Sequence, residues 1–217
     1  MKLSDQTLNT LKNFSTINDG IVLQKGNVQR TMSPEKTIIV HATLQDNFPE
    51  TFGIYDLNQF LGNVTALNDP DLTFSQDSVV VDDGDMVLNY YSCSSNIIVS
   101  PPDKELILKK IDVSFDLSNE TLKKLLRLAV MNNLPNVTVM GKNGEVRLQT
   151  HEKKNDTSNF AYKKIANHNG NDFSVSFKTD NLKLFPDDYS VEIMIGAFAK
   201  FTNKAGNLIY FVALESK

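Results

Sequence analysis

Leu3-Ser4-Asp5-Gln6-Thr7-Leu8-Asn9-Thr10-Leu11 returns 114 positions later as Leu117-Ser118-Asn119-Glu120-Thr121-Leu122-Lys123-Lys124-Leu125, with five of the nine residues identical and two near-isosteric. The offset is about half of the 217 residues, so the simplest reading is a duplicated domain. The plainer alternative is that two amphipathic helices share a capping phrase. Each copy carries the signals that start a helix. Ser4 and Ser118 can accept a bond from a free backbone N–H of the first turn. Leu3 and Leu117 precede the caps, and Leu8 and Leu122 sit where a side chain can pack back on them. The apolar stripe continues through Leu11 and Phe14 in one copy and through Leu125, Leu126 and Ala129 in the other. Duplicated domains build pseudo-symmetric assemblies, and such an assembly needs no catalytic residue to be useful.

Outward from the first helix, residues 20–30 alternate loosely and 37–43 are rich in β-branched residues, so both read as strands. A second helix is expected over residues 56–67, capped by Asp56, with Leu57, Phe60, Leu61 and Val64 buried. Asn68-Asp69-Pro70-Asp71 stops it. Strands follow at 72–74, 78–81 and 86–91, with Asp82-Asp83-Gly84-Asp85 as the hairpin between the last two. Residues 94–104 read as a linker, because Pro101-Pro102 forbids a helix. The pattern then restarts with a strand at 111–115, a helix from Ser118 to Met131, and strands at 137–140, 145–150, 160–165 and 173–177. A short helix at 180–185 is expected before Pro186, then strands at 189–195, 198–201 and 208–214. Helix, strands, shorter helix, strands thus occurs twice. Two helices per domain cannot cover both faces of so many strands.

Composition bounds the function. Hydrophobic content is 41% and charged content 22%, the mixture of a soluble globular chain. The one cysteine, Cys93, can form neither an internal disulfide nor a metal cluster, which fits a reducing compartment. No apolar run reaches the length of a membrane span, and Asp5, Asn9 and Lys12 interrupt any leader-like segment. Asn-x-Ser/Thr sequons such as Asn63-Val64-Thr65 therefore carry no glycosylation signal. The net charge of −4 hides an asymmetry. Residues 1–104 hold 6 Lys and Arg against 13 Asp and Glu, while residues 105–217 hold 16 against 13. An acidic total disfavours an all-over basic nucleic-acid binder, but not a protein that confines positive charge to one face.

Catalytic patterns are missing. The chain has no phosphate-loop motif and no nucleophile elbow. His41, His151 and His168 are scattered and read as strand or surface histidines. Asp82-Asp83-Gly84-Asp85 lacks the further ligands of a calcium loop and reads as a hairpin turn. Cys93 has no basic neighbour in sequence to lower its pKa. The chain is expected to be no enzyme and to use no metal or other cofactor.

Lys123, Lys124 and Arg127 carry the sharpest functional signal. Positions 123 and 127 stack one helical turn apart with 124 beside them, roughly opposite Leu122, Leu125, Leu126 and Ala129. Two readings fit this face: a solvated helix surface, or a stripe that faces phosphates through sequence-independent, salt-sensitive contacts. Lys12 on the first helix and Lys183 on the short fourth one add less.

At several points the chain resembles the sliding clamps of T-even-type bacteriophages, the processivity factors of their DNA polymerases. The resemblance rests on Met1-Lys2-Leu3-Ser4, Leu11-Lys12-Asn13-Phe14, Thr16-Ile17-Asn18 with Gly20-Ile21, Ile54-Tyr55-Asp56-Leu57-Asn58 with Phe60-Leu61-Gly62, Leu125-Leu126-Arg127 and Val212-Ala213-Leu214-Glu215. It implies an α+β protein with a duplicated clamp-type domain, the DNA clamp fold, with helices on the inner face and antiparallel sheets outside. The expected division is a first domain over residues 1–99, a connector over 100–106 and a second domain over 107–217. The resemblance implies a head-to-tail homotrimeric ring around duplex DNA, bound without regard to sequence. Lys12, Lys123, Lys124, Arg127 and Lys183 would face the DNA. Subunits would join edge to edge through Tyr90 and Tyr91 on one side and Phe160, Tyr162 and Lys164 on the other. The replicative polymerase would dock by a short tail near Ile97, Ile98, Val99, Pro101 and Val212. An ATP-dependent clamp loader would open the ring, since the chain has no nucleotide motif. The expected location is the cytoplasm of the infected bacterial host, with no membrane partner, and the family also serves late transcription. Two rivals belong to other classes: a phage structural or assembly ring that tethers nothing, and an enzyme whose site sequence does not reveal.

Overall fold

The computed structural model describes residues 1–102, 104, 106–155, 157–168 and 170–215. The chain forms two compact units, Met1–Glu105 and Leu106–Lys217. Residues 103 and 105 of the expected connector, and 216–217 at the end of the expected second domain, lie outside the described residues.

The first unit runs α1 (Asp5–Ser15), β1 (Ile21–Leu23), β2 (Gly26–Met32), β3 (Ile38–Phe48), β4 (Phe52–Ile54), α2 (Leu57–Ala66), β5 (Asp71–Phe74), β6 (Ser78–Asp82) and β7 (Val87–Tyr91). The Ser4 hydroxyl accepts from the Thr7 amide at 3.3 Å and starts α1; such a cap contributes about 1 kcal/mol. Leu11 and Phe14 are buried, as their spacing predicts, but Thr7 and Thr10 share that face and Leu8 is only half-buried. Thr10 is tolerated there because its hydroxyl donates to the Gln6 carbonyl at 2.8 Å. Asp56 caps α2, accepting from the Gln59 amide at 2.9 Å. β1 pairs antiparallel with β4, a three-residue strand too short for its alternation to be read from sequence. β2 pairs with β3, and β5, β6 and β7 form a meander in that order, which leaves β7 at an edge. Its hairpin turn is satisfied internally. The Asp83 carboxylate accepts from the amides of Asn68, Met86 and Asp85 at 3.0, 2.9 and 3.1 Å, and these bonds hold its pKa below the usual range.

The second unit runs β8 (Val113–Leu117), α3 (Asn119–Met131), β9 (Asn136–Lys142), β10 (Glu145–His151), β11 (Ala161–Asn167), β12 (Phe173–Lys178), β13 (Tyr189–Met194), β14 (Phe198–Asn203) and β15 (Leu208–Ala213). Ser118 caps α3 through Thr121 with the same 3.3 Å geometry as Ser4 with Thr7, 114 positions on. Strands β11, β10, β9 and β12 form one antiparallel sheet in that order, so β11 is an edge; β15, β14, β13 and β8 are hydrogen-bonded in sequence. Leu122, Leu125 and Ala129 of α3 are buried, with Val137, Val139, Leu148 and Phe177 in the core. Tyr189 and Tyr210 are buried as well. The Tyr189 hydroxyl donates to the Phe185 carbonyl at 2.6 Å and the Phe185 amide donates to Tyr210 Oη at 3.0 Å, while burial pushes both phenols far up.

The helix expected at 180–185 is absent. Only a 3-10 turn at Thr179–Asn181 forms there. Pro186 disfavours helical backbone at Phe185, and a single short turn cannot recover its nucleation cost. Within the stretch read as a linker a 3-10 turn forms at Ser95–Ile97, followed by Ile98, extended and buried.

Both repeated helices also receive a carboxylate at their first turn. Asp46 of β3 accepts from the Ser4 amide at 2.7 Å and the Ser4 hydroxyl at 2.8 Å; Asp188 accepts from the Asn119 amide at 2.8 Å. This favours the positive end of each helix dipole. Burial alone would raise the Asp46 pKa, but the donors from Ser4 and Thr7 outweigh it and hold the group below its ordinary value. A lowered folded pKa contributes stability above the unfolded value near 4 and loses it as pH falls through the folded one. Asp46→Asn is therefore expected to destabilise by about 1 kcal/mol at neutral pH and hardly at all near pH 2. Urea unfolding at the two pH values checks this.

Candidate functional site

α3 presents Lys123, Lys124 and Arg127 on its exposed side. The three cations are not equivalent. Lys124 Nζ sits 2.6 Å from Glu120 Oε1, one turn earlier, and this pairing holds the Glu120 carboxyl below its usual value. Among the described residues the side chains of Lys123 and Arg127 make no ion pair or hydrogen bond. Lys163, which the sequence pattern does not single out, reaches from β11 to donate to Thr121 Oγ1 of α3 at 2.8 Å. Only the β10–β11 pairing brings it there. Lys12 is exposed in the last turn of α1, and Lys183 is exposed just beyond the 3-10 turn rather than on a helix.

The residues predicted for subunit association fall on two strand edges. On β7, Tyr91 is 75% exposed, but Tyr90 turns the other way. Its ring packs edge-on against Phe60 at 5.2 Å and its hydroxyl donates to the Asp56 carbonyl at 3.3 Å, so it belongs to the inner side of the strand. Period-two alternation puts Val87 and Asn89 on the same exposed side of β7 as Tyr91, and the sequence expectation names neither. At the start of β11, Phe160 and Tyr162 are 61% and 53% exposed and stack with centroids 6.3 Å apart. The Arg147 guanidinium lies 5.0 Å over the Tyr162 ring. Lys164 is committed within the unit, 3.1 Å from Glu145, which also accepts from Arg147 at 3.0 Å. These two cations, Arg147 first, hold the Glu145 carboxyl low.

The residues predicted for partner docking divide. Ile97, Ile98 and Val99 line a pocket of about 420 Å³ with Tyr55, Asp56 and Asn18. Asn18 Nδ2 ties that segment down by donating to the carbonyls of Met32 and Val99 at 3.0 and 2.9 Å. Tyr55 is exposed on its rim. Pro101 is half-buried and outside this lining. Val212 is 0% exposed, inside β15, and can touch no partner directly. Near the end of the same strand, Leu214 and Glu215 line a separate pocket of about 580 Å³ with Val175 and Ile195.

Among the described residues no group of three or more His, Cys, Asp or Glu could hold a metal ion, and no helix is long and apolar enough to cross a membrane. Burial pushes the Cys93 thiol up, away from a reactive thiolate. His151 Nε2 bonds Thr138 Oγ1 at 2.8 Å, which in turn bonds Ser176 Oγ at 2.6 Å. Burial pushes the His151 pKa down.

Residues 3–100 match the family model described as DNA polymerase processivity factor. The whole chain is similar to the sliding clamp of Vibrio phage KVP40, 28% identical, with 100% of each chain covered. It is equally similar to the sliding clamp of Enterobacteria phage T4, 28% identical over 100% of this chain and 97% of that one. Among solved structures, A. fulgidus PCNA bound to the C-terminal region of FEN-1 matches with a TM-score of 0.70 at 15% identity, covering 97% of this chain and 95% of that one.

Proposed function

We infer that this chain is a sliding clamp of the T4-like phage type, a DNA polymerase processivity factor with the α+β DNA clamp fold. The observation that carries the reading is similarity to phage sliding clamps along the whole chain. The repeated capped helix, cationic in its second copy, supports it from the residues upward.

The mechanism is topological. Three copies join head to tail, the β7 edge of one to the β11 edge of the next. Two unpaired edges are thereby satisfied at once, and ring closure leaves neither exposed. The acidic first half of each chain then meets the more basic second half of its neighbour. Duplex DNA passes through the ring. Escape requires opening a subunit interface, so the interactions with DNA can stay weak and water-mediated, and the ring slides. The exposed cations of α3 face phosphates, with Lys12 and Lys183 adding to the field.

The chain is an accessory factor and carries out no reaction itself. The replicative polymerase attaches by an apolar tail in the pocket of Ile97, Ile98 and Val99. Attachment by a C-terminal segment is the mode seen where the C-terminal region of FEN-1 binds A. fulgidus PCNA. A separate ATP-dependent loader opens the ring in the cytoplasm of the infected bacterium.

The test is primer extension on primed circular DNA with polymerase and loader from the same phage. Adding this chain is expected to lengthen products from short stretches to full circles. Product lengths that stay the same with and without it would exclude the clamp function.

A further inference from the structure

We propose that the main electrostatic hold on DNA comes from Lys123 and Arg127 of the second unit, and that the α1–α2 face of the first unit, where Asp5 matches Lys12, meets DNA as a polar surface without net charge. The proposal rests on the sliding-clamp reading and adds which residues do the holding.

The two helical faces differ in net charge. In the first unit, α1 and α2 border a groove of about 340 Å³ lined by Asp5, Asn9, Lys12, Asn58, Gly62 and Thr65, among others. Asp5 and Lys12 lie two turns apart on α1, one charge of each sign, so the face they share carries no net charge. α2 bears no basic or acidic residue at all between Leu57 and Ala66. Lys2, just before α1, is bound to Asp69. In the second unit, Lys124 is offset by Glu120, which leaves Lys123 and Arg127, one turn apart on α3, with no carboxylate partner among the described residues. A ring built this way presents alternating cationic and neutral sectors. Amides and hydroxyls such as Asn9, Asn58 and Thr65 hold water against the duplex, and a few fixed charges position it. Such a surface restrains DNA without gripping it.

Gly62 provides a way to reverse the design. A side chain built there meets nothing within 4 Å, and Gly is a poor helix residue, so a lysine is accommodated without strain.

The experiment measures binding of the assembled ring to a short linear duplex, which it can thread from the ends without a loader, as a function of salt. Lys123→Gln and Arg127→Gln are each expected to lower the slope of log K against log[salt] by about 0.9 per phosphate neutralised. Lys12→Gln is expected to lower it by less than half as much. Gly62→Lys and Asp5→Asn are each expected to raise it, because the first adds a cation to that face and the second leaves it with a net positive charge. Size-exclusion chromatography confirms that each variant remains assembled. Binding by the wild type with equal reductions for Lys12→Gln and Lys123→Gln would overturn the proposal and leave the clamp reading intact. So would a slope unmoved by Gly62→Lys. A wild-type ring that does not bind duplex even at low salt would also overturn the proposal, whereas only failure to lengthen products on primed circles overturns the clamp reading itself.

Discussion

A ring carrying Lys123→Glu, Lys124→Glu and Arg127→Glu together is expected to assemble normally and to load poorly onto DNA. All three side chains are exposed on α3, opposite the buried Leu122, Leu125 and Ala129, so their reversal leaves the packed face untouched. Within the subunit the change breaks the solvent-exposed ion pair of Lys124 with Glu120, and exposed pairs of this kind contribute little. The effect on DNA is far larger. A trimer would exchange its main phosphate interactions for repulsion, and roughly six of these are enough to change affinity by about 10³-fold over a modest salt range. We therefore expect the yield of rings loaded onto primed circular DNA to fall at least about 100-fold, as neutralised phosphates become repelled ones. The readout is the number of labelled rings loaded per circle by the loader, beside an unchanged elution volume without DNA. Wild-type loading by the triple variant would remove α3 from the DNA-facing surface.

Phe160→Asp with Tyr162→Asp is expected to convert the proposed trimer to monomers that remain folded. The two rings are more than half exposed in the single chain, so the fold does not depend on burying them. Arg147 loses the ring below it but keeps Glu145 at 3.0 Å. At the subunit interface the cost is large, because buried aromatic anchors carry about 2 kcal/mol or more each and two introduced carboxylates would also be desolvated. A cost of about 4 kcal/mol per interface weakens association about 1000-fold. Light scattering reads the mass, and circular dichroism confirms the fold. Tyr91→Asp on the opposing β7 edge should give the same result, whereas Tyr90, packed on Phe60, should not take part in the interface at all. A trimer mass that survives both changes would place the subunit interface elsewhere.

These two experiments separate what the charged face and the strand edge do. In the proposed ring the cationic face acts on DNA and leaves assembly alone, while the aromatic edge acts on assembly and affects DNA only through it. A structural ring without tethering would respond to the second change and be indifferent to the first.

Much of this is legible in the linear chain because it depends on neighbours in sequence. Ser4 with Thr7 and Ser118 with Thr121 are three residues apart, so both caps and the duplication are readable directly. The α3 stripe follows from helical period, and the β5–β6–β7 meander from short apolar runs around an acidic turn. What depends on partners far along the chain is not readable there. β4 exists only because β1 offers it an edge, and Tyr90 differs from Tyr91 only because Phe60 lies under one face of β7. Val212 looks available near the end of the chain and is buried, since β15 lies hydrogen-bonded against β14. Pairings such as Lys164 with Glu145 and Asp46 with the first turn of α1 likewise join residues brought together by strand register. Local hydrogen bonding and periodicity are encoded within a few residues, while burial and charge commitment are settled only when distant strands meet.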